Sequence, residues 1–384
     1  VQITNLKLKN YRNYESLDVT FSADTTAIIG KNAQGKTNML EAIYFVSIGK
    51  SLRVANDKDL ILHDKDIAKI LANIKTIHGT KKIEIVLSKK TKKGIKINER
   101  QASKVSELLG EFTCVYFSPD ELRLIKDEPA NRRRFLDVLI SQLDKIYFNA
   151  LVRYEKTLAH RNKLLRTART LEECEDSLDV FTEQLVESAS IILLERYKFI
   201  KKLEPHIKTS HTYLAGDEEC SIEYLGPIKM NVGVVVPNDP HGSQRSATPT
   251  ASRTQILEKL KQELLSEFNR NKKRDFEKRH TSIGVHRDDI KCMLNGKDIK
   301  VFGSQGQQRT ATLSLKLAEC EIFKEKTGAY PVLLLDDVLS ELDADRQQKL
   351  LEYSKKMQTI ITGTYLPKNL ATVKVIKIEN GKIL

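Results

Sequence analysis

A glycine-rich loop near one end of this 384-residue chain and an acidic strand near the other have to meet in space, which constrains everything between them. Gly30-Lys31-Asn32-Ala33-Gln34-Gly35-Lys36-Thr37 fits the pattern G-x-x-x-x-G-K-[ST] of a phosphate-binding loop. Ala27-Ile28-Ile29 reads as a short buried strand running into it, and residues 37 to about 48 read as a helix, the setting such a loop requires. Val332-Leu333-Leu334-Leu335-Asp336-Asp337 is an apolar strand ending in two carboxylates. Asp336 follows Lys36 by 300 positions (336 minus 36). A compact phosphotransferase closes its site over a much shorter stretch, so the spacing predicts a large insertion between two halves of one nucleotide site.

The residue types give the expected chemistry. Gly30 and Gly35 let the loop curl its N–H groups around phosphate oxygens, and the helix N-terminus adds its dipole. The expected nucleotide contacts are therefore Gly30, Lys31, Asn32, Ala33, Gln34, Gly35, Lys36, Thr37 and Asn38. Lys36 reaches the β- and γ-phosphates, and Thr37 places its hydroxyl on Mg²⁺. Asp336 is the water-mediated Mg²⁺ ligand. Asp337 is placed to orient the attacking water, although two adjacent carboxylates also suit the cap of a following helix.

Ser304-Gln305-Gly306-Gln307-Gln308-Arg309 opens the helix before the acidic strand. Taken alone it is an ordinary helix cap. Its position, after the insertion and before the apolar strand, matches the ABC-type signature S-G-G-Q with Gln305 in place of Gly. In that class Ser304, Gly306 and Gln307 would sit on the γ-phosphate of ATP held by a second subunit, and Ser340-Glu341-Leu342-Asp343 occupies the place of the D-loop. ATP would be sandwiched between two heads.

Along the rest of the chain, residues 1–8 and 17–21 read as strands joined across Asn10-Tyr11-Arg12-Asn13-Tyr14, with further strands at 68–77, 82–87 and 112–117. Ser118-Pro119-Asp120-Glu121 reads as a helix start. Residues 131–203 read as helical, broken near 170–177, with Leu178, Leu185 and Ile192 at heptad spacing. From 204 to 253 the pattern dissolves and collects five prolines, and 238–253 reads as a mobile polar loop. Residues 255–278 form one more helix, with Ile256, Leu260, Leu264 and Phe268 on one face. A hairpin is expected around Asn295-Gly296, with strands at 290–294 and 298–301. Then come a helix over 305–326, the acidic strand, a helix from 345, a strand at 359–362 and a last hairpin at Asn380-Gly381. The fold class is α/β: an ATPase head (1–125 and 281–384) carrying an inserted α-helical domain (126–280).

No apolar run approaches the ~20 residues of a membrane span, and Val1-Gln2-Ile3-Thr4 alternates like a strand rather than a signal peptide. Cys114, Cys174, Cys220, Cys292 and Cys320 form no C-x-x-C pair, so buried thiols in a reducing cytoplasm are expected. Net charge is +13, with a pI of about 9.3, which points to a polyanionic partner. The basic residues cluster at Arg132-Arg133-Arg134, over 153–169 and over 269–280. Arg132, Arg133, Arg161, Arg166, Lys272, Lys273 and Arg274 are thus the candidate contacts to DNA phosphates, with little base readout. Glu172, Glu173, Glu175, Asp176 and Asp179 make an acidic patch whose plain reading is favourable charge at a helix N-terminus. His286 is expected to brace the join between head and insertion, and His160 to lie at the surface.

The order of blocks also resembles a known family. Asn10–Tyr14, Lys50-Ser51-Leu52-Arg53, Phe117-Ser118-Pro119-Asp120-Glu121-Leu122, Asn131-Arg132-Arg133-Arg134-Phe135-Leu136-Asp137, Gly284-Val285-His286-Arg287-Asp288-Asp289 and the two nucleotide motifs resemble the RecF family within the SMC/ABC-type ATPases. Val285 and Leu52 stand where that family usually has Pro and His, and Ile361-Thr362-Gly363-Thr364 replaces a Thr-rich run near the switch position. The resemblance implies an ATP-dependent homodimer that binds double-stranded DNA and single-/double-strand junctions. It implies action with RecO and RecR in recombinational repair of gaps and in replication restart, and slow hydrolysis that resets the clamp. A small-molecule phosphotransferase would lack the Ser304 signature. An ATPase driving a transporter would lack the basic insertion. A long-armed SMC protein would need helices of hundreds of residues.

Overall fold

The computed structural model describes residues 1–228, 252–365 and 373–384. Backbone packing divides the chain into two compact units, Val1–Lys126 with His206–Cys220 and Ile299–Leu384, and Asp127–Pro205 with Ser221–Asp298. The chain runs through β1 (Gln2–Tyr11), β2 (Tyr14–Thr20), β3 (Thr25–Ile29), α1 (Lys36–Ile48), β4 (Ile67–Thr76), β5 (Gly79–Ser88), β6 (Gly94–Ile97), β7 (Arg100–Gln101) and β8 (Cys114–Phe117). It continues with α2 (Pro129–Leu143), α3 (Lys145–Thr167), α4 (Leu171–Ala215), β9 (Cys220–Leu225), α5 (Arg253–Lys278), β10 (Asp289–Leu294) and β11 (Lys297–Asp298). It ends with the one-turn α6 (Ile299–Phe302), then α7 (Gln305–Thr327), β12 (Val332–Asp336), α8 (Ala344–Ser354), β13 (Thr359–Gly363), β14 (Lys374–Glu379) and β15 (Lys382–Ile383).

The first unit holds two six-stranded sheets, in the orders β2-β1-β4-β5-β6-β7 and β15-β14-β3-β13-β12-β8. The first is antiparallel, and its strands alternate: Ile3, Leu6, Leu8 and Tyr11 of β1 are buried. The second is parallel from β14 to β8. Its inner strand β12 is buried at every position, which is why Val332–Asp336 reads as an unbroken apolar run. Helix α1 contacts β4 of one sheet and β8, β12 and β13 of the other. A helix between two sheets needs an apolar surface on all sides, and Met39, Leu40, Ala42, Ile43, Tyr44, Phe45 and Val46 supply it.

The second unit is helical, with β10 paired to β9 and β11. The expected helix over 131–203 is three helices. Asp144 ends α2 in an extended conformation and caps α3 by accepting from the N–H groups of Ile146 and Tyr147. The second break falls at 168–170, ahead of 170–177, because Thr170 accepts from the Glu173 N–H and starts α4 there. The pattern does not dissolve at 204. Helix α4 runs 45 residues, straight through Pro205, because Leu203, Ile207, Ser210, His211 and Leu214 continue its buried stripe. Leu178, Leu185 and Ile192 are fully buried, as the heptad spacing requires. Ser118–Glu121 opens only a 3₁₀ turn, Pro119–Arg123. Residues 299–301 are helical, so the second strand of the Asn295-Gly296 hairpin stops at Asp298. Most of the expected polar loop at 238–253 lies outside the described residues; Ser252 caps α5.

Charged side chains sit inside this unit. Arg161, fully buried, meets Asp275 Oδ2 and Thr281 Oγ1 at 2.8 Å each. Arg196 joins Asp137 at 2.7 Å and Asp288 at 2.8 Å, and also donates to Tyr147 Oη and the Val285 carbonyl. Burial raises the Asp288 carboxyl to about 6, against the pull of Arg196. All five cysteines are buried thiols outside any disulfide. Among the described residues no helix is long and apolar enough to cross a membrane.

Candidate functional site

The parallel register brings the two distant motifs together. β13 lies between β3 and β12, pairing Gly363 with Ile29 on one side and Thr362 with Asp336 on the other. The C-terminal ends of β3 and β12 therefore open at one edge, where α/β sheets place their ligands. The Thr37 hydroxyl donates to Asp336 Oδ1 at 3.0 Å across 299 positions of sequence.

The loop Gly30–Thr37 is built for close approach. Gly35 has φ 109°, and an added Cβ would sit 2.6 Å from Asn13 Nδ2 and 2.9 Å from the Tyr14 hydroxyl. A Cβ at Gly30 would lie 2.4 Å from the Ile378 carbonyl oxygen. The Lys36 ammonium is held across the loop by the carbonyls of Gly30 (2.7 Å) and Lys31 (3.0 Å). Gly35 begins α1 without a side-chain cap and without an acid in the first turn, leaving the helix N–H groups to an anion. Lys31, Asn32 and Ala33 are exposed at the loop's tip. Gln34 turns its carbonyl Oε1 to the Asn380 N–H, and Asn38 is engaged by Asn13 and Arg53. These two side chains brace the loop.

Asp336 is buried and fully engaged. Oδ1 accepts from Thr37 and from Thr362 Oγ1 (2.7 Å), and Oδ2 from the Tyr116 hydroxyl (2.6 Å). Burial, and then the Asp336 charge, push the Tyr116 hydroxyl far up, so it remains a proton donor. Asp337 is half-buried in the left-handed region (φ 58°), and its N–H donates to Thr362 Oγ1 at 3.0 Å. Asp337 also stands at the N-cap of the short turn Val338–Glu341, but its side chain makes no capping bond there. Thr362 thus ties both carboxylate residues together. Among the described residues no group of three or more His, Cys, Asp or Glu side chains is placed to hold a metal. A divalent ion at Thr37 and Asp336 would need phosphate and water oxygens to complete its shell, the normal mode for Mg²⁺, and the hydroxyl–carboxylate pair fits that mode.

Sequence reasoning missed the bracing of α1. Arg12 binds Glu41 in a two-pronged pair (3.0 and 2.9 Å), and Ser51 Oγ donates to the same carboxylate at 2.6 Å. The blocks Asn10–Tyr14 and Lys50–Arg53 therefore meet on the helix that starts at the phosphate loop. Glu121 similarly pairs at 2.8 Å with Lys316 of α7, which also holds Glu319. No signal in one sequence marks Glu41, an acid inside an apolar helix, beyond that incongruity.

Ser304 caps α7 reciprocally with Gln307, each side chain bonding the other's N–H. Gly306 is exposed, and Gln307 also donates to Glu218 Oε1 at 2.6 Å. None of these bonds reaches Gly30–Thr37.

The basic candidates divide. Arg132 is buried, paired in two-pronged fashion with Asp289 (2.6 and 2.9 Å), and Arg161 is locked on Asp275. Both are corrected from DNA contacts to core ion pairs, since burying an arginine demands a partner carboxylate. Lys272 is held by Glu175 (3.1 Å) and Asp179 (2.6 Å), which also answers part of the acidic patch. Arg133 donates to the Asp288 carbonyl. Arg166, Lys273 and Arg274 are exposed. His160 is exposed as expected, whereas His286 bonds Tyr154 and the Thr281 carbonyl, all within the second unit.

Residues 2–380 match the family described as RecF/RecN/SMC N terminal domain. A DNA replication and repair protein RecF from Clostridium botulinum is 41% identical over 389 aligned positions, covering 99% of each chain. One from Clostridium acetobutylicum is 41% identical with the same coverage. Among solved structures, a recombination mediator protein RecF bound to ATPrS in the RecFOR pathway superposes with a TM-score of 0.86 at 34% identity, covering 100% of this chain and 97% of that one. An Smc head bound to the C-winged helix domain of ScpA superposes at 0.53 with 17% identity, a likeness of fold.

Proposed function

The chain belongs to the RecF family of the RecF/RecN/SMC N-terminal-domain proteins, and from that membership we propose that it is a cytoplasmic, ATP-dependent, dimerising DNA-binding protein of gap repair and replication restart. It hydrolyses ATP slowly to release its DNA clamp. The observation that carries this reading is the 3.0 Å contact between Thr37 and Asp336, which closes one nucleotide site from both ends of the chain. The bound nucleotide supplies phosphates whose charge Mg²⁺ offsets. Thr37 and Asp336 would hold that ion, Lys36 and the free N–H groups of α1 would hold the phosphate oxygens, and Asp337 would orient the water. The head and insertion of this reading, expected at 1–125 with 281–384 and at 126–280, differ from the two packed units in that 206–220 goes with the first unit and 281–298 with the second.

Ser304, Gly306 and Gln307 act in trans. Ser304 and Gly306 are exposed, where a second copy can present them to the γ-phosphate, while Gln307 is half-buried and would have to release Glu218 to join them. Val301 and Phe302, 67% and 71% exposed beside Ser304, add apolar area for that copy. The DNA partners are duplexes and single-/double-strand junctions, and RecO and RecR are the protein partners, as the RecFOR pathway of the related structure suggests.

The test is molar mass by light scattering with and without ATP–Mg²⁺, for wild type and Ser304→Arg. A mass that doubles with ATP in wild type only supports the sandwich. A mass that never changes refutes it.

A further inference from the structure

A groove of about 580 Å³ lies on the first unit, outside the nucleotide loop, and its walls carry Lys50, Lys58, Lys90, Lys92 and Lys93 against the single acid Asp57. That acid is already occupied, because Lys93 Nζ holds Asp57 Oδ2 at 2.6 Å. Lys50, Lys58 and Lys92 are exposed and have no ion-pair partner among the described residues. Lys90 meets only Asp66, in a solvent-exposed pair at 3.2 Å that competes weakly with a phosphate.

The lysines are presented by fixed backbone. Three of them come from the turn joining β5 to β6, where Ser88 Oγ accepts from the N–H groups of both Lys90 and Thr91 at 3.1 Å. Lys58 comes from a turn that Asn56 caps in the same way. Lys50 follows the C-terminus of α1, where the helix dipole favours a cation. The only apolar lining is Ala55 and Leu87, and no aromatic side chain lines the groove to stack a base. The chemistry suits a chain of phosphates rather than a nucleoside.

We infer that this groove docks the sugar–phosphate backbone of duplex DNA. The inference rests on the DNA-binding reading above and deepens it, placing a contact on the first unit where charge clustering had suggested the helical one. The groove is also tied to the nucleotide site. Lys93 Nζ donates to the carbonyl of Gly49, the C-cap of α1, and the other end of α1 is the phosphate loop.

The test replaces Lys50, Lys58, Lys90 and Lys92 together by Gln, and Lys92→Gln alone, in the full chain. Affinity for a duplex is measured by fluorescence anisotropy over a range of salt, with a fluorescent ATP analogue as a check on the nucleotide site. Removing one cation from a phosphate should flatten the slope of log K against log salt by roughly 0.9. The fourfold variant should therefore lose about 3.6 in slope, and Lys92→Gln about 0.9, with ATP binding unchanged. Lys273→Gln/Arg274→Gln serves as the comparison on the second unit. Wild-type slope and affinity in the groove variants overturn the assignment, while weaker binding in the comparison variant alone keeps the DNA-binding reading and moves the interface. Variants that keep duplex binding but no longer bind short-chain polyphosphate make the groove a small-anion site and also overturn it. A wild type that binds no duplex sinks both.

Discussion

Replacing Thr362 by Val should separate nucleotide binding from turnover. The side chain is buried, with Oγ1 donating to Asp336 Oδ1 at 2.7 Å and accepting from the Asp337 N–H at 3.0 Å. Valine keeps the shape and removes both bonds. A hydrogen bond to a charged group contributes about 1.5–3 kcal/mol, and leaving an N–H unpaired costs about 1–3 kcal/mol. At the lower end of both ranges, because Asp337 is only half-buried, the loss is about 2.5 kcal/mol. Asp337 occupies the left-handed region, which costs a non-glycine residue about 1–2 kcal/mol, and the Thr362 bond helps hold it there. Without that bond Asp337 relaxes and its carboxylate leaves the water. We therefore expect ATP affinity within about threefold of wild type, because the loop backbone is untouched. Turnover should fall more than tenfold, since about 1.4 kcal/mol of barrier suffices for that. Thr362→Ser should restore it. The assays are equilibrium binding of a fluorescent ATP analogue, single-turnover hydrolysis, and urea unfolding without nucleotide. Turnover within twofold of wild type, with an unchanged urea midpoint, would refute the reasoning.

Arg161→Leu should lower stability by about 3–5 kcal/mol by stranding buried Asp275, and Arg161→Leu/Asp275→Leu should recover much of it in urea melts. Weakened DNA affinity in the recovered double variant would return Arg161 to the DNA surface. Burial lowers the His286 imidazole to about 4 from its ordinary 6.5. Its stabilising contribution is therefore full above pH 6.5 and is lost as pH falls from 6.5 towards 4, by roughly 3 kcal/mol. The stability gap between wild type and His286→Gln should narrow between pH 7.5 and pH 5, and a constant gap would contradict the assignment. Gly30→Ala should abolish ATP binding by titration, because its methyl would meet the Ile378 carbonyl at 2.4 Å and the backbone must move. Asp337→Asn should bind ATP and persist as a dimer by light scattering; wild-type turnover there would remove Asp337 from water orientation.

The nucleotide site was legible because its geometry is local twice over. A glycine pattern fixes the loop, an apolar run fixes β12, and parallel pairing through β13 joins them. What stayed hidden depends on side chains that meet across long separations. Thr362 stands near the switch position that the family resemblance marks, but its bonds to Asp336 and to the Asp337 N–H come from register. Glu41 shows only as an acid within an apolar helix, and its partners Arg12 and Ser51 come from two other segments. Pro205 misled for a local reason: proline ordinarily ends a helix, but here the buried stripe continues on both sides of it. Asp144 was missed because one cap residue, with no glycine or proline beside it, is enough to divide α2 from α3.

The clustering of basic residues pointed towards the helical unit for a reason that the structure separates into two parts. A run such as 153–169 holds cations of two kinds. Arg166 faces solvent, while Arg161 is enclosed with Asp275, an acid 114 positions away that no window of sequence would pair with it. Arg132 and Lys272 behave similarly, each neutralised by carboxylates from another helix or strand. Cations in such pairs add to a local count of charge and nothing to the field that a phosphate chain meets. Lys89-Lys90-Thr91-Lys92-Lys93 is shorter than the runs over 153–169 and 269–280, yet on the turn between β5 and β6 Lys89, Lys90 and Lys92 are exposed, so most of its charge reaches solvent. Charge on a turn therefore carries more weight than equal charge on an amphipathic helix when a polyanion site is sought, and here that weighting moves the expected DNA contact from the second unit to the first.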